Sequence, residues 1–232
     1  MATDSPSVSG PFLCVNETDI FFEEDWGTGI GGGLWSTGKA MAEYFIAHPS
    51  LIRNNMKRLK RLDHAKGAKV LELGSGNGLL SVCLAAIAKD SISKLVATDL
   101  DDHLDLMRKT MLANGHVVNL DGKSADAGKI MVEVKELHWG KADNDFKDEK
   151  FDFIFGTDVV YRDYLHEPFI ETLKTYSHSG TISLIGVTML DTKPRFFKLL
   201  KENGFNYERL HENHMPPDFK GTTFGLFAVQ MK

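Results

Sequence analysis

Apolar residues fall along this chain in two rhythms: short runs suited to strands, and stripes at three- and four-residue spacing suited to helices. From Lys69 onward the two alternate. Strands are predicted at 69–73, 94–98, 130–137, 151–156 and 181–189. Helices are predicted at 79–88, 104–114 and 164–176, and from Pro194 to a stop at Gly204. The run at 151–156 is apolar at nearly every position, as a central strand buried on both faces should be. Such alternation implies a parallel sheet with crossover helices. The last stretch departs from it. Strands at 206–212 and 223–231 are joined by a loop holding Pro216 and Pro217, with no helix between them, which predicts an antiparallel hairpin at the sheet edge.

Upstream of Lys69 the pattern is looser. Residues 1–11 are small and polar and are expected to form a loose tail. Short β-favourable runs at 12–22 lead into Gly27, Gly29, Gly31, Gly32 and Gly33, too many glycines for a regular element. Ser36 is placed to cap a helix over 37–47, with Met41, Ala42, Phe45 and Ile46 as its apolar stripe. Seven Lys or Arg between Arg53 and Lys69 overlie Ile52, Met56, Leu59 and Leu62 at amphipathic spacing, a pattern that fits a solvated helix face or a docking patch for an acidic partner. The chain as a whole, 1–232, is expected to be one domain, with 12–66 an N-terminal extension and 67–232 the core.

The segment Val70-Leu71-Glu72-Leu73-Gly74-Ser75-Gly76-Asn77-Gly78-Leu79 places a strand, a glycine-rich turn and a helix start in succession. Such a turn lets a ligand approach the backbone while amides at the helix start face it. Asp99, at the end of the next strand, is where a carboxylate can take both hydroxyls of a ribose. A dinucleotide fingerprint would need a third glycine at position 79, which is Leu79. Glu72 discriminates further: a carboxylate just before the turn repels a pyrophosphate but attracts an ammonium, directly or through water. The combination favours S-adenosylmethionine, a cationic nucleoside without phosphate, over a dinucleotide or a purely structural turn.

Composition narrows the partners. Of 232 residues, 42% are hydrophobic and 25% charged, so a packed core is expected. Twenty-seven Lys and Arg against 32 Asp and Glu leave a net charge of −5, the wrong sign for a protein that binds by neutralising phosphates, so no nucleic-acid partner is expected. The longest apolar stretches, 79–88 and 182–190, fall short of the roughly 18 residues that cross a bilayer. With only Cys14 and Cys83, a reducing compartment is expected, the cytoplasm or also the nucleus. These cysteines lack paired spacing and His211 with His214 is a weak two-ligand pattern, so no metal site is expected.

Beyond the turn and Asp99, three segments carry a specific likeness: Gly33-Leu34-Trp35 before the first helix, Leu137-His138-Trp139-Gly140 after the third strand, and Gly156-Thr157-Asp158-Val159-Val160-Tyr161 after the fourth. Together they resemble the methyltransferase-like 21 family of protein-lysine methyltransferases, within the class I seven-strand S-adenosylmethionine enzymes. The resemblance implies a Rossmann-like seven-strand sheet, mostly parallel with an antiparallel last strand and helices on both faces. It implies cofactor contacts at Trp35, Gly74, Ser75, Gly76, Asp99, Trp139 and Thr157, to which the charge argument adds Glu72. It also implies a protein substrate, a chaperone or translation factor among the family's kinds; a monomer is expected. Relatives often have Trp-Asp-Ala where this chain has Trp35-Ser36-Thr37, and alanine where it has Thr157. Taken singly, Trp35 and Trp139 also read as packed rings, Asp99 as a capping acid and Tyr161 as a buried phenol.

Methyl transfer to lysine requires a neutral amine, and reaching it from the ammonium at neutral pH costs about 4 to 5 kcal/mol. A lone carboxylate worsens this by stabilising the ammonium. Asp158 is therefore assigned to capture and orientation of the lysine, and Tyr161 to shaping the channel or holding the acid. The same architecture leaves open a protein-histidine or other N-methyltransferase, and a scaffold that binds the cofactor without catalysis.

Overall fold

The computed structural model describes residues 11–15, 18–58, 67–115, 117–118, 130–141 and 146–232. In chain order the elements are β1 (Leu13–Val15), β2 (Thr18–Ile20), α1 (Ser36–Ala47), α2 (Leu51–Arg58), β3 (Ala68–Leu73), α3 (Leu79–Ala88), β4 (Ile92–Asp99) and α4 (Asp101–Ala113). Then come β5 (Val117–Val118), β6 (Met131–Glu136), β7 (Phe153–Thr157), α5 (Asp163–Tyr176), β8 (Ile182–Thr188), α6 (Pro194–Glu202), β9 (Phe205–Arg209) and β10 (Phe224–Met231).

Strand side chains alternate faces, and the packing follows that period. On β3, Val70 joins one core and Leu71 and Leu73 the other; on β7, Phe153 and Phe155 oppose Ile154. The first core is closed by α1, α3 and α4 through residues such as Phe45, Val82 and Met107. The second is closed by α5 and α6 through Phe169, Leu173, Phe196 and Leu200. The sheet order is β5-β6-β4-β3-β7-β8-β10-β9. The pairs β3–β4, β3–β7, β4–β6, β5–β6 and β7–β8 are parallel, and β10 runs antiparallel to both β8 and β9. Seven strands of five residues or more thus form the mostly parallel sheet that the alternation predicts, with the reversed hairpin at one edge. The two-residue β5 at the other edge adds a strand that no periodicity could announce.

Two expectations change in detail. Ser36 does not cap α1: it is the first helical residue, and Trp35, with extended backbone, occupies the cap position without a side-chain bond. The glycine-rich stretch is closely packed, folding into two short 3₁₀ turns, Trp26–Thr28 and Ile30–Gly32, closed by Asp25 N–H donating to Gly32 O at 2.9 Å. Residues 1–10 of the expected tail, and 59–66 of the expected basic helix beyond α2, lie outside the described residues.

The chain runs outward from β3 in one direction through β4 to β6 and returns to lay β7 and β8 on the other side. Such a reversal opens a crevice at the carboxyl ends of the two strands beside it. Those ends are Leu73 followed by Gly74, and Thr157 followed by Asp158.

Candidate functional site

The turn after β3 is built from three left-handed glycines, Gly74 (φ 69°), Gly76 (φ 57°) and Gly78 (φ 83°), a conformation that side chains disfavour. It is bolted to β4: Ser75 N–H donates to Thr98 O at 2.9 Å, and Thr98 Oγ1 donates to Glu72 O at 2.6 Å. Gly76 N–H reaches Asp99 Oδ2 at 2.7 Å, while Leu100 N–H reaches Asp99 Oδ1 at 2.8 Å. Burial pushes the Asp99 carboxyl up and these two amides pull it back. A Cβ on Gly76 would stand 2.5 Å from Gly31 O, and one on Gly74 would stand 2.8 Å from Val159 Cγ1 and 3.3 Å from Trp139 Cζ2. The turn is therefore bare backbone, overlaid by the glycine-rich loop and flanked by Trp139.

Glu72 lies beneath this turn, 1% exposed. Its Oε2 accepts the hydroxyl of Ser75 at 2.5 Å and also that of Ser81. Burial drives its pKa up to about 7, opposed by the two hydroxyls and reinforced by Asp99. The carboxylate thus ties the glycine turn, through Ser75, to α3, through Ser81.

Trp139 follows β6, its ring packed edge-on against Phe169 at 5.2 Å, and the next amide, Gly140 N–H, donates to Thr172 Oγ1 of α5 at 2.9 Å. Trp35 stands farther out. Its Nε1 donates to Ile30 O at 2.8 Å, its ring meets Trp26 at 6.3 Å, and it is 46% exposed. It stands with the loop at the rim.

Across the crevice, Thr157 ends β7, its methyl occupying the space a Cβ on Gly186 would need. Asp158 is the one non-glycine with positive φ, 53°, among the described residues. Its N–H donates to Gly186 O at 3.0 Å. Thr37 Oγ1, from the first turn of α1, donates to Oδ2, and Thr188 Oγ1, at the end of β8, donates to Oδ1 at 3.4 Å. Burial raises the Asp158 pKa, the two hydroxyls oppose that, and Asp191 adds to it. Tyr161 is half-buried, with the Arg162 guanidinium 5.7 Å from its ring centre. Burial raises its hydroxyl pKa first, and the charges of Tyr164, Asp99 and Asp158 raise it further.

Gly74, Ser75, Gly76, Asp99, Trp139, Thr157, Asp158 and Tyr161 thus gather along one end of the sheet, with Trp35 at the rim and Glu72 underneath. Sequence reading missed three participants. Thr37 and Thr188 hold Asp158, and His103 wedges between the loop and Asp99. Its Nδ1 stands 2.8 Å from Asp102 Oδ1 and 3.6 Å from Asp99 Oδ1, and a Cβ on Gly31 would come within 2.5 Å of its Nε2. Only the spacing of His103 four residues after Asp99 hinted at this. Among the described residues no cluster of His, Cys, Asp and Glu could hold a metal, and no helix is long and apolar enough to cross a membrane.

A side-chain-free turn, an acid held by amides at the end of β4 and carboxylates at the crevice fit a nucleoside that carries positive charge and no phosphate. The fold is that of nucleoside-binding α/β proteins, and the site fits such a ligand. Comparison with known proteins narrows the class. The sequence profile of the lysine methyltransferase family matches residues 15–203. Protein N-lysine methyltransferase METTL21A of Xenopus tropicalis is 25% identical over 189 residues, 81% of this chain and 72% of that protein. Protein-lysine N-methyltransferase EFM6 of Saccharomyces cerevisiae is 27% identical over 172 residues, 67% of this chain but only 62% of that protein. The crystal structure of ribosomal protein L11 methylase from Lactobacillus delbrueckii subsp. bulgaricus superposes with a TM-score of 0.52 at 18% identity, covering 77% of this chain and 76% of that one, a likeness of fold. The chain belongs to the lysine methyltransferase family. It is an enzyme that uses S-adenosylmethionine.

Proposed function

We propose that the enzyme methylates a lysine side chain of another protein and that Asp158 receives the incoming ammonium. The observation that carries this reading is the placement of a half-buried carboxylate after β7, across the crevice from the glycine turn and Asp99. The relatives' names supply the acceptor class. S-adenosylmethionine, when bound, supplies an electrophilic methyl on a sulfonium. Gly74, Ser75 and Gly76 would pass beneath it, Asp99 would accept from ribose hydroxyls, and Trp139, Thr157 and the loop bearing Trp35 would wall the site. Glu72 would act from below through Ser75, favouring the cationic end of the ligand.

Asp158 would bind the lysine as ammonium and orient it, while Tyr161 narrows the channel and excludes water. Proton loss to solvent must precede attack, and desolvation beside a second cation favours the neutral amine. Holding the amine at the reacting carbon then supplies much of the acceleration. In the same reading residues 1–232 form one domain, with 12–66 capping the cofactor, and the enzyme acts as a monomer in the cytoplasm or nucleus on a chaperone or translation factor.

The test is Asp158→Asn, assayed with labelled S-adenosylmethionine and cell extract, with the modified residue located by mass spectrometry and cofactor affinity measured by calorimetry. Cofactor affinity should stay within about twofold, while methylation falls roughly tenfold or more, the value of a lost charged contact. Unchanged methylation with intact cofactor binding would refute the role of Asp158. A methyl found on histidine would refute the acceptor.

A further inference from the structure

We propose that Thr37 and Thr188 are positioning residues that clamp Asp158 in the orientation that meets the lysine. The proposal rests on the reading of Asp158 given above and adds residues that neither the family motif nor the comparisons mark.

The geometry is that of a residue fixed at both ends. Asp158 keeps a left-handed backbone (φ 53°), a conformation that side chains disfavour and that the surrounding contacts must hold. Its N–H is tied to Gly186 O of β8. Each carboxylate oxygen takes a hydroxyl from a different element, Oδ2 from Thr37 of α1 and Oδ1 from Thr188 of β8. The backbone N–H of Thr188 adds a third donor, which still leaves the carboxylate a lone pair for a cation arriving from the crevice.

Thr37 is suited to the task. α1 starts without any side-chain cap, so the Thr37 hydroxyl is not spent on the helix end. A threonine within a helix commonly turns its hydroxyl back to the preceding turn; this one reaches a residue 121 positions away. Its β-branch restricts χ1, and it is 1% exposed, so water does not compete for the bond. Both hydroxyls favour the ionised form of Asp158 against burial. Asp191, from the turn after β8, opposes ionisation, the Thr188 backbone N–H joins the two hydroxyls in favouring it, the Tyr161 hydroxyl lies on the same loop as Asp158, and α1 brings no acid in its first turn. Removing a hydroxyl therefore leaves the carboxylate both looser and harder to ionise.

The experiment follows the Asp158 carboxyl by carbon NMR across a pH series, its resonance assigned by its loss in Asp158→Asn. It compares wild type, Thr37→Val, Thr188→Val and Thr37→Ser. In Thr37→Val the carboxyl should titrate about one pH unit higher, and kcat/KM for the protein substrate at pH 7 should fall about tenfold with KM rising. Cofactor affinity by calorimetry should stay within about twofold. Thr188→Val should move the titration in the same direction by less, the bond being longer, and Thr37→Ser should restore wild-type behaviour. Superimposable titrations for wild type and Thr37→Val would overturn the clamp, as would a loss of activity that serine does not rescue. If Thr37→Val does not fold, Thr188→Val against Thr37→Ser decides the same point. If Asp158→Asn methylates normally, the reading of Asp158 falls; if it does not and the threonine variants behave as wild type, only the clamp falls.

Discussion

Replacing Glu72 by glutamine should change how stability depends on pH more than how the fold is built. Glutamine keeps the shape and an oxygen to accept from Ser75 and Ser81, the two hydroxyls that converge on Glu72 Oε2. It removes the ionisation. The side chain is 1% exposed, and burial lifts its pKa from 4.5 to about 7. Between those values the folded chain holds a proton that the unfolded chain has released. Stability from this group is therefore full below about 4.5, declines as pH rises, and is spent above about 7. The gap corresponds to about 3 kcal/mol at high pH. Between pH 5 and 8, wild type should lose roughly 2 to 3 kcal/mol relative to Glu72→Gln, other groups cancelling in the difference. Urea unfolding of both proteins at pH 5, 6, 7 and 8, without cofactor, measures it. Parallel curves would refute the burial argument. If Glu72 also favours the cationic end of the cofactor, binding near pH 6.5 should release protons in wild type and none from this site in the variant, a difference that calorimetry in two buffers reads directly.

Gly76→Ala should lower both stability and cofactor affinity. The left-handed backbone alone costs about 1 kcal/mol or more, and the new methyl displaces the carbonyl of Gly31. Gly115→Ala is the control, since Gly115 has φ 67° but nothing within 4 Å of its Cβ position, so thermal unfolding should show the strain while calorimetry shows unaltered binding. Lys94→Met should destabilise by about 1 kcal/mol in urea, because it removes the lysine shared by Glu133 and Glu149 at 3.2 and 2.7 Å and leaves them Lys135 at 3.5 Å and Lys69 at 3.3 Å. Adding Glu149→Gln should recover part of that loss.

The unit from β3 through α3 to Asp99 could be read because each step is local. An apolar run, glycines that admit left-handed backbone and a helical stripe lie within about thirty residues, and α3 spans Leu79–Ala88 as its apolar period predicts. Strand ends were less legible. β4 begins at Ile92, two residues before the sequence suggests, since backbone pairing with Ala68 extends it irrespective of side-chain pattern. Ser36 misled for a physical reason. The indole of Trp35 is tied back to Ile30 O, its backbone stays extended, and the helix starts one residue earlier than a serine cap would allow. The Thr37 and Thr188 contacts to Asp158, and the packing of Gly31 on His103, join residues 30 to 121 positions apart, and a single sequence holds no periodicity for such approaches.

The acids at this end of the sheet answer one electrostatic problem in different ways. A lysine and a sulfonium are both cations, and two unit charges about 4 Å apart repel by about 4 kcal/mol at an effective dielectric of 20. In the proposed reading, Asp99, Asp158 and, from below, Glu72 would offset that repulsion while the two partners assemble. Yet a fully solvated, fully ionised acid at the crevice would keep the lysine protonated and unreactive. Burial raises the Asp158 pKa, and the two threonine hydroxyls oppose that and favour its ionised form. Capture and release of the proton then depend on the same balance, which is why removal of a threonine hydroxyl and removal of the carboxylate itself should give different pH profiles and not two degrees of one defect.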